Sequence, residues 1–269
     1  MEHFINVSSE QGIRPRQEDR YLSVQIGETI ILGIADANGE LGGGELAELT
    51  LKSVLAHVGW HLSQNKNIFG IPELKELGLN AVNSAAQEAI RLKDSRKDWV
   101  SPGTTITLVI ITPWLIGVFW IGDSPAYLLD GSGFKRLTKP HNVIEELVKQ
   151  GIPREKLAGQ KNLESTLVRC VGYKDCEPDF TILPYSNIST VLVGSDGVFG
   201  YLSEQDIQKI LQNSDSYKLD VSENLVQKAL ENDSDDNLTV IVSVVMPQQN
   251  KPTRILNRET RIYGSETEK

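Results

Sequence analysis

Residues 103–124 read GTTITLVIITPWLIGVFWIGDS, and their interpretation decides the class of the chain. Ile106 to Ile121 is the longest apolar stretch, but Thr107, Thr112, Pro113 and Gly117 interrupt it. It is also shorter than the roughly 20 apolar residues that cross a bilayer as a helix. The stretch is predicted to form two buried strands joined at Thr112-Pro113, the second running directly into Gly122-Asp123-Ser124.

Upstream of this hairpin, Tyr21–Ile26 and Thr29–Ile34 read as strands about a Gly27-Glu28 turn. Two helical patterns follow. Leu51, Val54, Leu55, Val58 and Leu62 share one face of a helix that starts near Gly44. Leu74, Leu77, Ala81, Ala85, Ala89 and Leu92 share one face of a second, after Pro72. Downstream come a short strand at Ala126–Leu129, a helix at Asn142–Gln150 and polar, irregular sequence over Gly151–Thr166. Strands return at Phe180–Leu183 and Thr190–Val193. Ser203 with Asp206 makes a capping box ahead of Ile207, Ile210 and Leu211, and Val221, Leu225 and Ala229 give one more helical stripe. Leu238–Val245, nearly all apolar and β-branched, is predicted to be a central strand. Strands and helices do not alternate regularly, which disfavours a parallel doubly wound sheet. The expected organisation is one α+β domain over residues 1–246 and a polar, charged tail over 247–269.

The 27 basic and 36 acidic residues leave a net charge of −9. Nucleic acids and anionic membranes draw basic surfaces, so neither is expected as the partner. Cys170 and Cys176 form no CxxC pair and cannot make a disulfide framework. The opening MEHFINVSSEQG lacks the basic and apolar regions of a secretory signal. A cytoplasmic location is therefore expected.

The surplus acids follow one pattern: each stands where an apolar strand stops or starts, beside a small turn residue. Ile34-Ala35 runs into Asp36-Ala37-Asn38-Gly39, Ile121-Gly122 into Asp123-Ser124, and Val193-Gly194-Ser195 into Asp196-Gly197. Asp235-Asp236-Asn237 opens the strand at Leu238, and Glu18-Asp19 precedes the strand near Tyr21. Asp is a good turn residue by itself. If the strand ends share a rim, however, the carboxylates repel one another unless a cation neutralises them. Oxygen-only ligation suits Mg²⁺ or Mn²⁺ rather than Zn²⁺.

From Arg14 to Val244 the chain resembles the type 2C, metal-dependent protein serine/threonine phosphatases. Arg14-Pro15-Arg16-Gln17-Glu18-Asp19 is similar to the opening R-x-x-x-E-D motif, and Asp36-Ala37-Asn38-Gly39 stands in place of D-G-x-G. Gly103-Thr104-Thr105, Gly122-Asp123-Ser124, Leu137-Thr138 with His141, Arg169-Cys170-Val171-Gly172, Ser195-Asp196-Gly197 and Asp236-Asn237 follow in family order. The resemblance implies two antiparallel sheets packed face to face, with helices on both outer sides. It implies hydrolysis of phosphoserine and phosphothreonine on proteins by water activated between two Mn²⁺ or Mg²⁺ ions. Asp36 would bridge the ions, Asp196 and Asp236 would hold one, and the Ala37 carbonyl with Glu18 or Asp19 would hold the other. Asp123 with Asp196 matches a third, weaker position, and Arg14 would bind the substrate phosphate. Phosphoproteins and the pathway of a cognate serine/threonine kinase are the implied partners.

Four positions depart from the family: Ala37 for Gly, Asn38 where some members have His, Pro125 where Arg often stands, and Pro140 where Asp often precedes His141. Asn cannot act as a general acid, so no proton donor is assigned. The competing reading is a pseudophosphatase that uses the fold as a binding or regulatory module. Intact Asp36, Asp196 and Asp236 favour the enzyme. Sharper motifs fail on their chemistry. His57 and His61 lack the Glu of a zinc-protease helix, Gly39–Gly44 lacks a phosphate-loop Lys, and Ser195 lacks the spacing of a nucleophile elbow. Cys170 reads as a core residue, and Arg254, Arg258 and Arg261 as a solvated charge run. Asn142–Thr166 reads as a loosely packed surface segment.

Overall fold

Thr112 closes the turn expected at the centre of the 103–124 stretch. Its N–H donates to the Leu115 carbonyl at 2.9 Å, and its hydroxyl accepts from the Leu115 N–H at 3.0 Å. The chain reverses there, and Ile111 comes to lie opposite Ile116 in an antiparallel pair. The computed structural model describes residues 3–38, 41–64, 68, 70–157, 159–174, 176–185, 188–214, 219–246 and 262–264.

In chain order the elements are β1 (His3–Glu10), β2 (Arg20–Ile26), β3 (Thr29–Ala35), β4 (Ala37–Asn38), α1 (Gly43–Ser63) and α2 (Ile71–Ser95). Next come β5 (Gly103–Thr104), β6 (Ile106–Ile111), β7 (Leu115–Ile121), β8 (Ala126–Asp130), β9 (Gly133–Arg136), α3 (Val143–Lys149) and α4 (Lys161–Glu164). Then follow β10 (Asp179–Pro184), β11 (Ser189–Gly194), the one-turn α5 (Asp196–Phe199), α6 (Glu204–Asn213), α7 (Val221–Glu231), β12 (Leu238–Val245) and β13 (Ile262–Gly264).

The strands build two antiparallel sheets, ordered β1-β12-β11-β8-β9 and β13-β10-β7-β6-β3-β2, and β4 pairs with β5 as a short clip. Because alternate residues of a strand face opposite sides, the apolar runs supply two cores at once. Ile30, Leu32, Ile34, Val109 and Ile111 meet Leu128, Val191, Val193, Ile241 and Val245 between the sheets. The other face of the six-stranded sheet, with Ile31, Leu108, Ile110 and Phe119, packs on Leu51, Val54 and Val58 of α1 and Leu74 and Leu77 of α2. On the far side Leu192, Val240 and Val242 pack on Ile207, Leu211, Val221 and Leu225 of α6 and α7. The result is the expected two-sheet sandwich with helices on both outer sides.

The capping box forms as read: the Ser203 hydroxyl accepts from the Asp206 N–H, and the Asp206 carboxylate accepts from the Ser203 N–H. β12 is central, between β1 and β11. Two strands escape the pattern reading. β1 covers the edge beside β12, with Phe4 opposite Val244, and its half-buried residues give no continuous apolar run. β9 is similarly half-exposed. Of the stretch read as a tail, residues 262–264 run antiparallel to β10. The rest of 247–269, with Arg254, Arg258 and Arg261, lies outside the described residues. Among the described residues no helix is long and apolar enough to cross a membrane.

Candidate metal centre

Antiparallel order fixes where the acids go. β3 and β7 flank β6 and end on the same side, where β2 begins; β11 ends where its neighbour β12 begins. The loops leaving those ends carry Asp36, Asp123, Asp196, Glu18-Asp19 and Asp235-Asp236. Six of the seven residues expected as metal ligands line one cleft of about 570 Å³: Glu18, Asp36, Ala37, Asp123, Asp196 and Asp236, with Arg14 and Asn38 beside them. Asp19, the seventh, lies beneath the floor, only 4% exposed.

Short hydrogen bonds hold these loops in place. The Asp36 N–H donates to Thr105 Oγ1 at 3.0 Å, and the Thr105 N–H donates back to the Asp36 carbonyl at 2.8 Å. The Thr105 hydroxyl also shares a 2.6 Å bond with the Ser124 hydroxyl, joining the Asp36 and Asp123 turns. Gly122 turns there at φ 109°, and a Cβ on it would stand 2.6 Å from Thr105 Cγ2. His141 grips the other side: its N–H donates to the Gly122 carbonyl at 2.9 Å and its Nδ1 accepts from the Gly122 N–H at 3.0 Å. Accepting that bond leaves the ring proton on Nε2, which faces Asp179 Oδ2 at 3.3 Å. Asn237 anchors the loop that carries Arg14, donating to the carbonyls of Gln11 and Arg16 and accepting from the Glu18 N–H. Gly197 passes so near this strand start that a Cβ would overlap the Asn237 carbonyl oxygen, 1.9 Å away.

Arg14 reaches the cleft from that loop. Its Nη2 donates to Asp236 Oδ2 at 2.8 Å and its Nε to the Asp235 carbonyl at 2.7 Å. Among the described residues no cation bonds the carboxylates of Asp19, Asp36 or Asp123, although the Arg136 charge pulls Asp123 down. Burial, reinforced by the Asp196 and Asp236 charges, pushes the Asp19 carboxyl up to about 7 against the lowering pull of Ser195 and Thr239. Burial and the Asp196 charge push Asp123 up to about 7 as well. Asp36 is driven well above the usual carboxylate range by burial and by Asp19, Asp196 and Asp123 around it.

This donor set fits a hard divalent cation. Asp19 Oδ2 is buried with no hydrogen-bond partner, and the surrounding donors are oxygens. Among the described residues no group of three or more acidic, imidazole or thiol side chains is arranged to hold one ion unaided. That suits Mg²⁺ or Mn²⁺, which keep several waters and take few protein carboxylates each.

No protein-family model matches the chain. It is 25% identical over 179 residues to the serine/threonine phosphatase stp of Listeria monocytogenes, covering 66% of this chain and 70% of that one. The Mycobacterium tuberculosis serine/threonine phosphatase PstP/Ppp superposes with a TM-score of 0.77 at 25% identity, covering 91% of this chain and 99% of that chain. The chain is thus similar in sequence and in fold to bacterial serine/threonine phosphatases. A further structure, the catalytic domain of PstP in complex with two manganese ions, superposes at TM-score 0.74 and 23% identity, over 91% and 98% of the two chains.

The departures from the family pattern have small structural consequences. Ala37 sits in β4 opposite Thr104, outside the left-handed backbone region, so no glycine is required there. Asn38 turns its side chain toward Gly103 and Cys170. Gly39 lies outside the described residues. Ser195 is fully buried, its hydroxyl accepting from the Thr239 N–H at 3.0 Å, as a structural residue would. Cys170 is half-buried rather than core, and burial raises its thiol to about 11.

Asn142–Thr166 is more firmly attached than its composition implies. Asn142 caps α3 and donates to the Glu164 carbonyl at 2.8 Å, Val143 N–H donates to Thr166, and Ile144 and Glu145 are buried. Sequence reasoning also passed over Asp179, although it too stands at a strand start. Arg169 forks onto it at 3.0 and 3.4 Å. Nothing in the sequence separates this acid from the cleft acids.

Proposed function

We propose that the chain hydrolyses phosphoserine and phosphothreonine on proteins, using a binuclear Mn²⁺ or Mg²⁺ centre held in the acidic cleft. The observation that carries this reading is a set of acids, Asp19 buried and Asp36, Asp123, Asp196 and Asp236 half-buried, gathered at a cleft whose rim bears Arg14. The charges of Asp19, Asp196 and Asp123 all act on Asp36, which supports it as the ligand that would bridge the two ions, and Asp123 with Asp196 would hold a weaker third ion. Two such ions, when bound, polarise the phosphoryl oxygens and lower the pKa of water beside them.

The protein's own part is binding and orientation. Arg14 presents a guanidinium fork to the phosphate oxygens, which match it bidentately. Asp236 holds that fork in place before substrate arrives, and the Thr105–Ser124 bond fixes Asp36 relative to Asp123. The ordinary backbone at Ala37 removes one support of the binding-module alternative. Phosphoprotein substrates imply a serine/threonine kinase that makes them, and a cytoplasmic setting belongs to the same proposal. Turnover of a phosphothreonine peptide in the presence of Mn²⁺, abolished by a chelator and restored by re-addition, is the expected result. A metal-loaded protein that binds the peptide without releasing phosphate would instead favour the binding module.

A further inference from the structure

A second cleft, about 740 Å³, opens from the first and shares Arg14, Asp123, Ser165, Asp196 and Asp236 with it. Beyond the shared acids its buried lining is mixed, Tyr127 and Ile144 beside Thr138, Asn142 and Glu145, and its rim carries Arg136, Lys139 and Arg154. The last two are already engaged: both pair with the buried Glu145, Lys139 at 3.2 Å. Arg136 is different. It is exposed, and among the described residues no carboxylate lies within ion-pairing distance of it. It is nevertheless positioned, with Nη2 3.4 Å from the Asp123 carbonyl and the guanidinium 5.8 Å from the centre of the Tyr127 ring. Away from the shared acids, three cations on this cleft face three acids, Glu145, Glu164 and Asp235, an even balance on a chain of net charge −9.

We propose that Arg136 forms an anion subsite that selects phosphopeptides bearing an acidic side chain, a carboxylate or a second phosphate, near the phosphorylated residue. This rests on the phosphatase reading: with the phosphate at Arg14 and the acids, the flanking peptide is led along the adjoining cleft past Arg136. A planar guanidinium fork with no carboxylate paired to it is suited to carboxylate and phosphate alike.

The test uses the full chain with Mn²⁺ and phosphothreonine peptides in which Glu, Gln, Lys or phosphoserine is scanned from the third residue before to the third after. Hydrolysis is measured, together with fluorescence anisotropy on matching non-hydrolysable phosphonate peptides. At one position Glu is expected to improve kcat/KM and affinity about two- to fivefold over Gln, the range of an exposed ion pair. Phosphoserine there should do at least as well if the subsite serves multiply phosphorylated substrates, whereas a gain with Glu alone assigns it to carboxylates. Arg136→Gln should remove the difference, and Arg136→Glu should invert it in favour of Lys. A wild-type protein indifferent to charge at every position would overturn the subsite while leaving phosphatase function intact, and so would a Glu preference unchanged in Arg136→Gln. Arg136-dependent Glu preference in anisotropy with no hydrolysis would overturn the phosphatase reading and keep the subsite.

Discussion

Asp179 and Asp19 are both acids at the start of a strand, and the fold treats them oppositely. Burial would raise Asp179, but the bonds and charges of His141 and Arg169 outweigh it and hold its carboxyl at about 2. No cation pairs with the Asp19 carboxyl among the described residues; burial, with the Asp196 and Asp236 charges, carries it up to about 7 against the pull of Ser195 and Thr239. One region is closed on itself, an ion-pair network that positions a turn. The other is left electrostatically incomplete, which is costly unless something from outside completes it. The difference teaches where a ligand is owed.

The pH dependence follows from those directions. For Asp19 and Asp123 the folded value lies above the ordinary 3.8, so their contribution to stability is full below about 4 and is lost as pH rises through about 7. For Asp179 the folded value lies below 3.8, so its contribution is full above that value and is lost as pH falls through about 2.

Removing metal should have the largest effect. Chelation is expected to abolish phosphatase turnover completely, and the metal-free protein should melt at progressively lower temperature from pH 4 to pH 8. Mn²⁺ should then raise Tm more at pH 8 than at pH 5, because binding needs deprotonated ligands. A metal-free Tm that is flat across this range would break the contrast between the two regions. Next in size is Asp196→Asn. Loss of even an outer partner of a metal ligand typically costs about 10- to 100-fold, so a ligand should cost more than about 100-fold in kcat/KM. The same variant should melt higher than the parent without metal at pH 8, since one of the mutually repelling charges is gone. A lower Tm would mean that Asp196 supports the fold rather than the cleft.

Asp179→Asn sharpens the other side of the comparison. Breaking a buried pair costs about 3–5 kcal/mol, and the partial exposure of Asp179 and Arg169 reduces the expected loss to about 2 kcal/mol in urea unfolding. Mn²⁺ affinity should change far less than in Asp196→Asn; an equal loss would merge the two regions into one. The smallest effect is expected for Arg14→Ala, a rise in KM for phosphopeptides of about tenfold, the size of one hydrogen bond to a charged group. Arg14→Lys should recover only part of it, for want of the bidentate fork. Unchanged kinetics in Arg14→Ala would remove Arg14 from the site.

Most of the fold was legible because most of its segments are buried on a definite face. The runs at Ile30–Ile34, Ile106–Ile111 and Leu238–Val245 are nearly all apolar since both faces of each strand are covered, and the α1, α2 and α7 stripes carry a helical period for the same reason. β1 and β9 were not, because an edge strand with one face to solvent owes its place to pairing, and pairing leaves little mark on composition. The anchoring of Asn142–Thr166 was hidden likewise: it depends on side-chain amides bonding backbone twenty or more residues away.

The sequence by itself determined the α+β class, the hairpin at Thr112-Pro113, the helix faces and the list of acids at strand ends, all properties of a residue and its near neighbours. Only the tertiary structure decided which acids face one another, that Asp19 lies under the cleft while Glu18 lines it, and that Asp179 is matched by Arg169 and His141. It also decided that Lys139 and Arg154 are spent on Glu145 while Arg136 is not. The physical reason is range. Turn and strand preferences act over a few residues of chain, whereas burial, Coulomb interaction and the pairing of charges depend on distances in space, which the chain sets only once its sheets have packed.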